Sequence, residues 1–320
     1  MQSRSRRTSL PGPDEPFVAE VGASPLPGYR LLRIRGKGAF ATVWEASDPT
    51  GQRIAMKFMS SQNASSTARE IRSLQAIHQL NHPYLLQARQ VWSLPGYIVI
   101  AMELADASAL DLYLLYAEEF QTTVDPLKLA LYMYQAADAL DFLNAHQHNF
   151  DGRTVGFQHG DIKPNNILLI GDTAKLADYG LACPMSGPIS PCPRQGTLEY
   201  AAPEVFQGNL SDSSDQFGLA VSYYLLRTGS FPFPPPPKVV PRGFTRPTAD
   251  VSQVSADEAF ALCRALSPVP QNRFPTCVEM MGHLLRGLGL EAIRGRERGV
   301  TIQPALKVGP PPPRRRISAI

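Results

Sequence analysis

The sequence predicts an α+β fold, with strand-like segments concentrated ahead of the helical ones. Three observations carry that reading. Short apolar runs with strand-like alternation dominate the first hundred residues. Beyond Leu110 the apolar residues recur at helical spacing instead. A chain of 320 residues is also long enough for a large core, or for two lobes with a cleft between them.

Composition narrows the class. Hydrophobic residues make up 43% and charged residues 18%, the balance of a soluble globular protein. The net charge of +3 resides largely in the tails, so no nucleic-acid face is implied. The four cysteines (Cys183, Cys192, Cys263, Cys277) form no CxxC pair, and reduced thiols in a cytoplasmic protein are expected. Cys183 and Cys192 share one loop and could pair under oxidation. No apolar run approaches the roughly 20 residues of a membrane span. No apolar stretch follows the basic N-terminus, so no signal peptide is visible.

Taken in order, residues 1–27 are rich in Ser, Arg, Pro and Gly and read as a disordered basic tail. Tyr29 to Ile34 alternates as a strand. Gly36-Lys37-Gly38-Ala39-Phe40-Ala41-Thr42-Val43 follows as a glycine-rich turn into a second strand at Trp44. Such a hairpin can bring backbone N–H groups close to phosphates. Its position between strands argues against a dinucleotide-binding fold. Ile54-Ala55-Met56-Lys57 is the next strand, and a lysine within it needs an anion. A helix carrying Glu70, Ile71, Leu74 and Ile77 offers Glu70 as that partner. Tyr97 to Met102 is an apolar strand that breaks into a linker at Glu103 to Ala105.

The helical part opens with a helix from Leu110 to Phe120. A second starts at Pro126, with Leu127, Ala130, Leu131, Tyr134 and Ala137 on one stripe. Residues 146–157 read as a loop insertion in which His146 and His148 find no third metal ligand. Ser214 to Leu219 starts an apolar helix. The run Pro234 to Pro237 and the stretch to Val254 read as extended and mobile. Ala256 to Leu266 and Val278 to Leu288 are the last helices. Residues 289–320 lose periodicity and end in a basic, proline-rich tail.

The chemistry concentrates in His159-Gly160-Asp161-Ile162-Lys163-Pro164-Asn165-Asn166-Ile167-Leu168-Leu169 and in Asp178-Tyr179-Gly180. Ile167 to Leu169 and Ala174 to Ala177 read as a hairpin turning at Gly171-Asp172, which brings Asp161, Asn166 and Asp178 together. Asp178 and Asn166 offer hard oxygen ligands suited to Mg²⁺. Asp161 can orient a hydroxyl and accept its proton, and Lys163 can balance charge on a moving phosphoryl group.

These segments, with Gly196-Thr197-Leu198-Glu199-Tyr200-Ala201-Ala202-Pro203-Glu204 and Arg273, resemble in order and spacing the eukaryotic-type (Hanks-type) serine/threonine protein kinases, most of all the bacterial ones. The resemblance covers Tyr29 to about Leu288. It implies a two-lobed protein-kinase-like fold over residues 28–288, divided at 105/106, and Mg²⁺ and ATP as cofactors. It assigns Asp161, Lys163 and Asn166 to catalysis and Asn166 and Asp178 to the metal. To the nucleotide it assigns Gly36, Gly38, Val43, Ala55, Lys57, Glu70, Met102, Glu103, Ala105 and Leu168, with Met102 as gatekeeper and Glu103 to Ala105 as hinge. It further implies that Thr197 ties Asp161 to Lys163, that Glu204 pairs with Arg273, and that Asp215 holds the catalytic loop from below. Its partners would be proteins with Ser or Thr acceptors, with regulatory partners at the tails.

Ala41, Gly160 and Tyr179 depart from the common pattern. Gly160 replaces the arginine that pairs with an activation-segment phosphate in the family. Activity without loop phosphorylation, or control by a partner, is the expectation. The alternative is a pseudokinase, a nucleotide-binding scaffold that signals by shape. Retention of Lys57, Asp161, Asn166 and Asp178 favours the enzyme.

Overall fold

The computed structural model describes residues 17–38, 41–60, 80–150, 152–192, 196–241, 243–294 and 300–304. Five antiparallel strands form the N-terminal sheet in the order β1-β2-β3-β5-β4. They are β1 (Arg30–Lys37), β2 (Ala41–Ser47), β3 (Arg53–Ser60), β4 (Ala88–Leu94) and β5 (Tyr97–Met102). Register places Val43 opposite Lys57 and Ala55 opposite Met102, so three adjacent strands end at one edge of a cleft. The helix expected around Glu70, and with it Glu70 itself, lies outside the described residues.

The N-terminal boundary differs from the expectation. Residues 17–28 are not part of a free tail. Phe17 is buried and stacks on Phe58 at 5.8 Å, and Gly22 and Leu31 bond through their backbones. Ala19, Ala23 and Leu26 pack on the same core as Trp44 and Val99. One aromatic ring and three small apolar contacts are enough to order a segment that composition alone marks as loose.

The second lobe begins with the short β6 (Ala107–Ser108) and α1 (Ala109–Glu118). Ser108 and Asp111 cap α1 reciprocally. Helix α2 (Pro126–Asn144) starts as its sequence requires: Asp125 accepts from Lys128 N–H and Pro126 occupies the first turn. The expected insertion at 146–157 is a hairpin, β7 (His148–Phe150) with β8 (Arg153–Gln158), its turn at Gly152. His148 is buried and bonds to Phe142 O at 2.7 Å, a packing role. Strands β9 (Ile167–Ile170) and β10 (Thr173–Leu176) pair around Gly171-Asp172 as expected.

Three further strands and two helices shape the middle of this lobe: β11 (Cys183–Met185), β12 (Ile189–Pro191), α3 (Pro203–Phe206), β13 (Asn209–Ser211) and α4 (Ser214–Thr228). Helix α4 is the axis of the lobe. Phe217, Tyr223 and Tyr224 along it are essentially inaccessible. Full burial of the Phe217 ring stabilises by roughly 1.5–3 kcal/mol. Helices α5 (Ala256–Ala265) and α6 (Cys277–Gly287) close the base.

Residues 230–254 contain no helix or strand among the described residues, as their prolines dictate. They are nonetheless tied down, with Asp250 N–H bonded to Pro232 O at 2.8 Å and Val251 buried. Past Leu288 a hairpin of β14 (Leu290–Arg294) and β15 (Val300–Pro304) adds Ile302 to the core. Strands this short leave too little alternation to be read from sequence.

Candidate active site

The cleft between the lobes encloses a cavity of about 390 Å³. Its roof comes from Gly36, Val43, Ala55 and Lys57. Its inner edge comes from Met102, Glu103 and Ala105, and its floor from Leu168, Asn166 and Asp178. Ten of the residues singled out in the sequence therefore meet at one space. Gly38 lies beside it, its N–H bonded to Ala41 O at 2.8 Å. A Cβ added to Gly36 would meet nothing within 4 Å. Among the described residues no neighbour demands a glycine there, so the open room suits a ligand that approaches the backbone closely.

Lys57 and Asp178 face each other across this space, Nζ to Oδ1 at 3.0 Å. Burial works against the Asp178 charge, but the Lys57 ammonium outweighs it and holds the carboxyl below its ordinary range. Asp178 adopts a left-handed backbone, φ +67°, which turns its carboxylate into the cleft. The following ring secures that turn: Tyr179 O–H donates to Leu176 O at 2.6 Å and accepts from Leu86 N–H at 3.1 Å. Burial pushes this phenol well above its usual pKa, so it stays a donor. The hydroxyl that distinguishes Tyr from Phe here is used, and it leaves Asp178 unobstructed.

On the outer side the cleft opens into a groove bordered by Lys163, Thr197, Glu199, Tyr200 and Phe231. Lys163 Nζ donates to Asp161 Oδ2 at 2.8 Å and to Thr197 Oγ1 at 2.6 Å, while Thr197 N–H donates to Asp161 Oδ1 at 2.8 Å. Burial raises the Asp161 pKa, but bonds from Lys163 and Thr197 more than reverse it, and the carboxyl sits below its ordinary 3.8. Asn166 Nδ2 donates to Asp161 O at 2.8 Å, which leaves the amide oxygen for a ligand. The pair of Asn166 and Asp178 fits Mg²⁺, which is commonly held by one or two protein oxygens together with substrate phosphates.

The catalytic stretch rests on Asp215 at the start of α4. His159 N–H and Gly160 N–H donate to its two oxygens at 2.5 and 2.9 Å. Gly160 has φ +79°, and a Cβ there would lie 3.0 Å from Leu181 O, so a glycine suits the position sterically. Gly196 is more constrained: at φ +84° its Cβ would come within 2.6 Å of Gly160 O.

Two contributors escaped the sequence reading. Arg35 donates to Ala105 O at 3.2 Å and Asp106 O at 2.7 Å, tying the glycine strand to the linker. Lys175 pairs with Glu103 at 2.6 Å and steadies the same linker. Both look like ordinary surface cations in sequence, where no periodicity or motif marks them.

Residues 29–284 match the model of the protein kinase domain. The chain belongs to the protein kinase family. Among known kinases, CBL-interacting protein kinase 4 of Oryza sativa subsp. japonica is 30% identical over 64% of this chain and 45% of its own length. Serine/threonine-protein kinase PknD of Mycobacterium tuberculosis is 30% identical over 68% of this chain and 32% of its own. PknF of the same species is 29% identical over 82% and 57%. This kinase chain thus spans from about a third to somewhat over half the length of these relatives. The crystal structure of a point mutant of the Mycobacterium tuberculosis PknI kinase domain shares the fold, with a TM-score of 0.63 at 24% identity, over 85% of this chain and all of that one.

Among the described residues no helix is long and apolar enough to cross a membrane, and no cluster of three or more acidic, His or Cys residues could hold a metal by itself.

Proposed function

We propose that the protein transfers the γ-phosphoryl group of ATP, with Mg²⁺, to serine or threonine hydroxyls of protein substrates. The observation that carries this is the junction of two networks at one cleft: Lys57 with Asp178 on the cavity side, and Asp161 with Lys163, Thr197 and Asn166 on the groove side.

Lys57 supplies a fixed cation for phosphate oxygens, and the linker backbone at Glu103 to Ala105 presents polar edges to a purine. Asn166 and Asp178 would hold Mg²⁺, which neutralises phosphate charge when bound. Asp161 is ionised at neutral pH and, bound by Lys163 and Thr197 beside the groove, orients a hydroxyl and accepts its proton. Lys163 offsets negative charge beside it. The work is positioning and electrostatics, with little covalent chemistry asked of the protein. A cytoplasmic setting, and regulatory partners recruited by the terminal tails, belong to the same proposal.

Label transfer from γ-labelled ATP to a Ser/Thr-containing protein tests the reading. Transfer is expected with magnesium and is abolished by EDTA. Absence of transfer at every magnesium level would sink it.

Strand pairing and packing support the described residues between Asp178 and Glu204. Strand β11 pairs with β8, β12 pairs with β13, and Met185, Cys192 and Leu210 share a small core. Gly160 offers no side-chain cation to a phosphate. We therefore expect Ser186→Ala and Ser190→Ala each to transfer phosphate about as well as the natural protein. A large loss in either, with phosphate found at that serine by mass spectrometry, would overturn phosphate-independent ordering.

A further inference from the structure

The proline-rich loop after α4 places Arg246 beneath the turn that borders the substrate groove. Its guanidinium donates to three backbone carbonyls of that turn: Ala201 O at 2.8 Å, Glu199 O at 2.9 Å, and Leu198 O. Three rings surround it, Phe233 at 4.8 Å, Phe206 at 5.1 Å and Phe217 at 5.8 Å. The Glu199 carboxylate is the nearby negative charge that favours it. Burial lowers its pKa to about 10, so it remains charged at neutral pH.

For a half-buried cation without a contacting counter-ion, other groups must replace the hydration it loses. Here carbonyl oxygens and ring faces do so. In turn, removal of the guanidinium would take its donor from Glu199 O and Ala201 O, while Leu198 O keeps only the Ala201 N–H at 3.3 Å. The planar fork spreads its donors over two nitrogens, Nε and Nη2, whereas an ammonium gathers its three at one point.

The turn itself leads directly to the reacting groups. Thr197, which bonds to both Lys163 and Asp161, immediately precedes Leu198. Tyr200 borders the groove and packs edge-on against Phe231 at 5.3 Å. Tyr200 N–H bonds to Thr197 O at 3.1 Å, closing the turn. The carbonyls gripped from below and the side chains presented above thus belong to the same few residues.

We infer that Arg246 is a positioning residue for the acceptor substrate: it sets the height of the Leu198–Ala201 turn and with it the groove that receives the protein chain. This rests on the reading of that groove as the acceptor site. Nucleotide binding is independent of it, because Arg246 borders no part of the cavity between Lys57 and Asp178.

The test compares full-length natural protein, Arg246→Met and Arg246→Lys. Phosphate transfer to one Ser/Thr peptide is measured over peptide concentration, and ATP affinity by nucleotide titration. Met keeps the apolar packing and Lys keeps the charge, and a thermal melt shows which variants fold. In every variant that folds, the peptide KM should rise roughly tenfold or more while ATP affinity stays unchanged. Lys should recover stability relative to Met without recovering the peptide KM. An unchanged peptide KM in a folded variant, or equal losses in peptide KM and ATP affinity, overturns the role of Arg246. If the natural protein transfers no phosphate, the functional reading fails first, and this role falls with it.

Discussion

Replacing Arg273 by alanine is expected to cost the fold about 3–5 kcal/mol, a large loss for one substitution. The Arg273 side chain is fully buried and grips Glu204 through both terminal nitrogens, each bond 2.8 Å. Ser211 and Ser214 hydroxyls donate to the same carboxylate at 2.7 Å. Burial alone would raise the Glu204 pKa, yet the Arg273 bonds, helped by the two serines, hold it below its ordinary 4.5. With alanine at 273 the carboxylate is left in a dry site with two hydroxyls and no cation. Thermal unfolding should show a fall in Tm on the order of 10 °C, converting at a few degrees per kcal/mol. Arg273 is remote from the Lys57–Asp178 cavity, so whatever protein remains folded should still bind nucleotide. A Tm within about 2 °C of the natural protein would remove the pair from the account of stability. The same pair has a pH signature. Its contribution is complete above the unfolded Glu204 value near 4.5 and is lost as pH falls through the lower folded value.

What was legible in the sequence was legible for physical reasons. Asp161, Asn166 and Asp178 lie on loops whose spacing follows from one short hairpin, and the Gly171-Asp172 turn announces that hairpin. Asp125-Pro126 marks a helix start because a carboxylate cap and a missing N–H both belong there. Phe17 carried no such mark. Its order comes from Phe58, a partner forty-one positions away that no local pattern reveals. Strands β12 and β13 are three residues each, too short for alternation to register, and they exist because the segment folds back on itself. Arg246 resembled a solvated charge among prolines. Only the tertiary structure brings three phenylalanines around it. Pairings between distant residues, such as Glu204 with Arg273, were legible only through the family resemblance, and Phe17 and Arg246 belong to no motif of it.

Asp161→Asn should lower phosphate transfer by roughly 10²–10⁴-fold, the usual worth of a positioned proton acceptor. The substitution nearly preserves shape. Thr197 N–H can still donate to an amide oxygen, so the fold and the catalytic loop should survive, which a circular-dichroism melt can verify. What changes is basicity: an amide cannot take the proton of an attacking hydroxyl. The loss should fall on kcat and leave ATP affinity intact, because Asp161 lines the small pocket beside Thr197 and Tyr200 and no part of the nucleotide cavity. The pH profile gives an independent reading. Lys163 and Thr197 overcome the effect of burial and keep the Asp161 pKa below its ordinary 3.8. Its carboxylate is therefore ionised across the neutral range, and kcat of the natural protein should show no acid limb from this group between about pH 5 and 8. An acid limb near pH 6 would mean that another group takes the proton. Full transfer by Asp161→Asn would show that orientation by Lys163 and Thr197 suffices. The reaction would then need no protein base at this position, and the enzyme would work by electrostatics alone.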